Sequence, residues 1–130
     1  GAPTSNRSNA TGGAPNSEEE SLMSARAVTT ASFPTEVEQS ELPVLIDFWA
    51  TWCPPCRRMT PVVEALATKY AGRAQVLKCD CDTNSELAMR FGVQSIPNFL
   101  FFKHGQLAGQ ITGAVSEAEL AAKLDELITG

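Results

Sequence analysis

An α/β layer sandwich around a mixed sheet is the fold class the sequence predicts, and three observations carry that prediction. Apolar runs at residues 44–49 and 74–79 have strand length and read as strands covered on both faces, with a third run at 96–102. Apolar residues recur at helical spacing after the first run and again near the end of the chain. Strands alternating with helices in this way bury a sheet between helical layers.

In chain order, the folded part is expected to begin near residue 27, with Ala27, Val28 and Thr29 as a short edge strand. Ser32 is placed to cap a brief helix running to Gln39, with Pro34 tolerated in its first turn. The run from Val44 to Trp49 is the central strand. Beyond it, Val62, Val63, Leu66, Ala67 and Tyr70 share one helix face up to Gly72, and Pro61 inside that helix predicts a kink. Thr83-Asn-Ser-Glu86 is a capping box that opens a short helix ending at Gly92. Pro97 stands at the start of the next strand, where no ladder donor is missed. Lys103 to Gln106 form a turn, and residues 107–112 return as a hairpin strand. Ser116-Glu-Ala-Glu119 is a second capping box, opening a terminal helix with Leu120, Leu124, Leu127 and Ile128 on one face.

The chemistry concentrates at Cys53-Pro54-Pro55-Cys56, where the central strand meets the long helix. Two cysteines separated by two residues can close a small disulfide ring without moving the backbone far. The first thiol lies at the helix N-terminus, where unpaired N–H groups and the positive dipole end favour a thiolate. A structural zinc site would need a second ligand pair. The other two of the four cysteines, Cys79 and Cys81, have a C-x-C spacing that suits a zinc ribbon poorly, and the single histidine, His104, is far away in sequence. No metal site is expected. A purely structural disulfide would constrain the unfolded chain little with so small a loop. The pair therefore reads as a redox-active dithiol. Asp47 is the odd residue in an apolar strand, and a buried carboxylate is costly without a partner or a task.

Composition bounds the rest. The 130 residues suffice for one domain with a sizeable core, and 43% hydrophobic with 19% charged residues fits an ordinary globular protein. A net charge of -5 without a Lys/Arg cluster argues against non-specific nucleic-acid binding. The apolar runs are strand-sized, so no membrane span is expected. Residues 1–26 are rich in Gly, Ser, Asn, Thr and Pro and carry the acidic run Glu18-Glu19-Glu20. Such a segment buries too little surface to offset its ordering entropy and is expected to be a disordered tail, with residues 27–130 as the domain. Met23 is a candidate natural start, which would make the preceding residues an expression remnant; a remnant of a processed precursor is the alternative.

Asp47-Phe48-Trp49-Ala50, Trp52-Cys53, Pro55-Cys56, Pro61, Lys78, Ile96-Pro97 and Gly113 together resemble the thioredoxin family, in the form of a small single-domain member with a WCPPC active site. The resemblance spans about residues 28–128. It implies a thioredoxin-like three-layer sandwich, with a central mixed five-stranded sheet flanked by four helices and Pro97 in the cis form beside the dithiol. It implies a protein-disulfide reductase in which Cys53 is the nucleophile, Cys56 resolves the mixed disulfide, Asp47 is the buried acid–base group and Lys78 is its partner. Trp52, Pro54, Pro55, Ile96, Pro97, Gly113 and Ala114 would form the substrate-binding patch. No bound cofactor is implied, since reducing equivalents come from a separate reductase, NADPH- or ferredoxin-linked. Partners would be disulfide-containing proteins and that thioredoxin reductase, with no nucleic acid or membrane. The protein would be a cytoplasmic monomer, or an organellar one after removal of a targeting peptide.

Three features depart from the family pattern. Pro54 replaces the usual glycine, which removes an N–H and fixes φ, so the redox potential is expected to differ from the common type. Asn98 stands where threonine is usual after the proline. Cys79 and Cys81 are additional thiols, read as small hydrophobes. Two other function classes suit the residues less well. A dedicated extracytoplasmic thiol-redox protein of the cytochrome-maturation type would be expected to carry an anchor or insertion. A non-enzymatic binding or holdase subunit would not need Cys53, Cys56, Asp47 and Pro97 together.

Overall fold

Residues Val44–Trp49 form strand β2, and its burial without alternation follows from having a strand on each side and a helical layer on each face. The structure is a computed structural model and describes residues 24–130, so the expected tail lies outside the described residues as far as residue 23. Strand β1 (Arg26–Ala27) leads into a π-helical turn (Pro34–Glu38), then β2, helix α1 (Pro54–Lys69) and β3 (Gln75–Asp80). Helix α2 (Ser85–Arg90), the hairpin β4 (Asn98–Lys103) and β5 (Gln106–Thr112), and helix α3 (Glu117–Thr129) complete the fold. The sheet order is β1-β3-β2-β4-β5, with β1 and β2 parallel to β3 and the remaining pairs antiparallel. This is the predicted mixed five-stranded sheet with four helical segments.

Strand alternation divides the core into two layers. Leu45, Phe99 and Phe101 face α1 and α3, where Val63, Leu66, Leu120 and Leu124 complete one cluster. Ile46, Phe48, Leu100 and Phe102 face the other way, onto Phe33, Val37 and Leu87. Each such large side chain stabilises the fold by about 1.5–3 kcal/mol relative to exposure.

Several expected boundaries move, each for a local reason. Ser32 does not cap a helix. Its Oγ accepts the Thr29 N–H at 2.9 Å and its own N–H goes to Thr29 Oγ1 at 3.0 Å, so Phe33 takes the cap position without a side-chain bond. The turn that follows is π-type, with the Gln39 N–H reaching Pro34 O at 3.0 Å. Asn84, not Thr83, occupies the cap of α2, while its side chain accepts the Thr30 N–H and donates to Asp80 O. Ser116 does cap α3, accepting the Glu119 N–H at 3.2 Å. Helix α1 runs through Pro61 as one element. The folded body also starts earlier than residue 27: Ala25 is buried, and Arg26 pairs with Leu77. The hairpin turn has positive φ at both His104 (53°) and Gly105 (77°), the geometry of a tight type I′ connection.

Candidate active site

The end of β2, the start of α1 and the segment entering β4 converge on the two cysteines. Cys53 is the N-cap of α1 and is disulfide-bonded to Cys56, with Cα atoms 5.3 Å apart. Pro54 and Pro55 fill the first two helical positions and bring no N–H. The first free donor is therefore the Cys56 N–H, which reaches Cys53 Sγ at 3.2 Å. An N-cap side chain takes its bonds from the second and third helical positions, so residue 54 would not supply this donor whatever its identity. Both cysteines are buried with Ala50, and Trp49 and Ile96 pack against them.

Ile96 O lies 3.8 Å from Cys53 Sγ, and the Ile96–Pro97 bond is cis. The Gly113 N–H donates to Pro97 O at 2.8 Å, joining the segment after β5 to the same surface. Gly113 has φ +94°, a conformation few other residues adopt. Trp52 stands on the rim, 65% exposed, with Nε1 donating to Asp82 Oδ2 at 3.0 Å. Ala114 and Pro54 are exposed, and Pro55 is half-buried. The sequence did not point to Asp82, whose place after β3 carries no signal that a tryptophan 30 residues away in sequence would bind it.

Asp47 lies in β2, buried, with Oδ1 lacking a hydrogen-bond partner among the described residues. Burial pushes its carboxyl up to about 7 from 3.8, and the positive charge of Lys78 partly opposes the rise. Asp47 and Lys78 stand in register across β2 and β3. The ion pair that Lys78 makes, however, is with Glu64 of α1, at 3.5 Å. Glu64 also accepts the Ala25 N–H at 3.1 Å, a connection the sequence did not reveal because it links residues 39 apart.

Cys79 is buried and Cys81 half-buried on the opposite core layer. Burial above all, and neighbouring Asp80, push their thiols up to about 12 and about 11, so neither is a thiolate near neutral pH. Among the described residues no group of three or more His, Cys, Asp or Glu could hold a metal ion.

A vicinal dithiol at a helix N-cap on this α/β sandwich defines a thiol-disulfide oxidoreductase. The thioredoxin family model matches residues 24–126. Thioredoxin 1 of Synechococcus elongatus is 45% identical over 102 residues, 78% of this chain and 95% of that protein. Thioredoxin of Porphyra purpurea is 43% identical over 107 residues, 82% of this chain and the whole of that protein. Thioredoxin of Mycobacterium bovis is 48% identical over 101 residues, 78% of this chain and 87% of that protein. The chain belongs to the thioredoxin family. Members of this family act on disulfide-containing proteins, need no bound cofactor and are themselves reduced by reductases. Among the described residues no helix is long and apolar enough to cross a membrane.

Proposed function

We propose that the chain reduces protein disulfides with Cys53 as nucleophile and Cys56 as resolving thiol. The observation that carries this assignment is the Cys56 N–H aimed at Cys53 Sγ, which favours the anionic form of that sulfur once the pair is reduced. The Cys53 thiolate attacks one sulfur of the substrate disulfide, forming a mixed disulfide and releasing a substrate thiolate. Cys56, as thiolate, then attacks Cys53 Sγ. The Cys53–Cys56 disulfide forms, the second substrate thiolate leaves, and two electrons have passed to the substrate. Asp47 takes the Cys56 proton: a carboxyl held near 7 can accept or return a proton at working pH. Lys78 modulates Asp47 as a nearby charge rather than as a contact partner.

Substrate docks on the apolar rim of Trp52, Pro54, Pro55, Ile96, Pro97, Gly113 and Ala114, with an extended chain pairing along the Ile96 backbone. The electron donor is a separate thioredoxin reductase, NADPH- or ferredoxin-linked, and the protein acts as a monomer. We place it in the cytoplasm, where the unpaired Cys79 and Cys81 would stay reduced.

Insulin-disulfide reduction with dithiothreitol as donor tests the assignment. Cys53→Ser should abolish turnover, and Cys56→Ser should accumulate mixed disulfides visible on non-reducing gels. Normal turnover by Cys56→Ser would remove the two-thiol mechanism.

A further inference from the structure

Asn98 is the first residue of β4 and is one of the few buried polar residues, 2% exposed. Its backbone sits between Phe48 of β2 and Thr112 of β5. Both ends of its side-chain amide are engaged. Nδ2 donates to Ser95 O at 3.3 Å, and Oδ1 accepts from Gln110 Nε2 of β5 at 3.0 Å. A carbonyl can only accept, so Ser95 O fixes which way the amide points, and Gln110 completes the arrangement.

These bonds determine what the segment before β4 offers to a substrate. Ser95 O is tied back by Asn98, and Pro97 O is tied back by the Gly113 N–H at 2.8 Å. Between them, Ile96 O is the carbonyl left facing the dithiol, 3.8 Å from Cys53 Sγ. Two fixed carbonyls therefore bracket one presented carbonyl. A buried amide without a partner would cost more than its hydrogen bonds contribute, so the pair is held in place by its own desolvation.

We propose that Asn98, backed by Gln110, is a positioning residue for polypeptide substrates: it pins Ser95 O so that the Ile96 backbone stands ready to pair with the chain that carries the disulfide. The inference rests on the reductase reading above, with its extended chain paired along the Ile96 backbone, and adds the side chains that hold that backbone in place. A threonine here would offer a single hydroxyl oxygen, one atom closer to the main chain, in place of the separate amide nitrogen and oxygen that reach Ser95 O and Gln110 Nε2. Small disulfides with no peptide to pair do not depend on this device.

The test separates the two substrate types. Asn98→Leu keeps the side-chain shape and removes both bonds; Gln110→Met, on the exposed edge strand, removes one. With insulin and dithiothreitol, Asn98→Leu should raise KM about threefold to tenfold with kcat nearly unchanged, as expected for one or two hydrogen bonds. The direct reaction of the reduced protein with the aromatic disulfide DTNB should keep its wild-type rate. Gln110→Met should shift the insulin KM in the same direction by less, and the double variant should be no worse than Asn98→Leu alone. An unchanged insulin KM in folded variants overturns the proposal, as does an equal loss with both substrates. If Asn98→Leu does not fold, Gln110→Met decides by the same criterion. Wild-type protein inert toward insulin and DTNB alike would instead remove the reductase reading itself.

Discussion

Asp47 buries a carboxyl in the central strand, and its linkage to pH has a definite sign. Its folded value, about 7, lies above the ordinary 3.8, so the native state binds its proton more tightly than the unfolded chain does. The protonated group costs nothing special below about pH 4; the penalty grows as pH rises and is complete above about pH 7. Asp47→Asn, which cannot ionise, should therefore be more stable than wild type above neutrality, by at most about 4 kcal/mol. The advantage should shrink on acidification and vanish near pH 4, which urea denaturation at a series of pH values would read directly. On the proposed role of Asp47 as acceptor of the Cys56 proton, the same variant should slow insulin reduction. A stability difference independent of pH would mean that the folded and unfolded chains hold the Asp47 proton equally tightly, so that burial does not raise it.

Helix caps illustrate how an element can share a sequence pattern and not its structure. Thr83-Asn-Ser-Glu86 and Ser116-Glu-Ala-Glu119 have the same capping spacing, yet only Ser116 caps. At the first site the chain leaves β3 in a turn, where Asn84 is drawn under the loop after β1 by the Thr30 N–H. The Thr83 hydroxyl accepts from Asn84 Nδ2 at 3.1 Å and reaches Asp80 O at 3.5 Å, neither of them a capping bond, and the cap position passes to Asn84. Ser116→Ala should thus cost about 1 kcal/mol of stability, while Thr83→Ala should change it by only a few tenths. Thermal melts of the two variants side by side check the contrast. Equal losses would show that both boxes contribute to capping.

For the whole molecule, β2 and β4 lie between two apolar layers and transmit each layer's stability to the other. Phe101 faces α1 and α3, whereas Phe102, its neighbour in sequence, completes the aromatic cluster with Phe33 and Phe91 on the opposite side. Phe101→Ala and Phe102→Ala should each destabilise by about 3–5 kcal/mol, a large part of the 5–15 kcal/mol typical of a domain. Each should leave a single unfolding transition, since the strands are shared between the layers. Fluorescence and far-ultraviolet circular dichroism transitions that separate in either variant would show that the layers unfold independently.

The order of strands and helices, the buried character of β2 and the dithiol were legible because each is written locally, in an apolar run, a helical period or a four-residue spacing. The rim residues Trp52, Ile96, Pro97 and Gly113 came from resemblance, and their convergence on one surface is a property of the fold. Only the tertiary structure could place Glu64 against Lys78, Asp82 on the Trp52 indole and Gln110 behind Asn98. Those partners sit on different elements, and which of several polar side chains meets which depends on strand register and helix placement. Ser32 shows the same limit at short range, where a hydroxyl suited to capping found a nearer backbone partner in Thr29. Burial patterns repeat along a chain and announce themselves; a polar contact is a single pairing between distant residues, decided when the layers close.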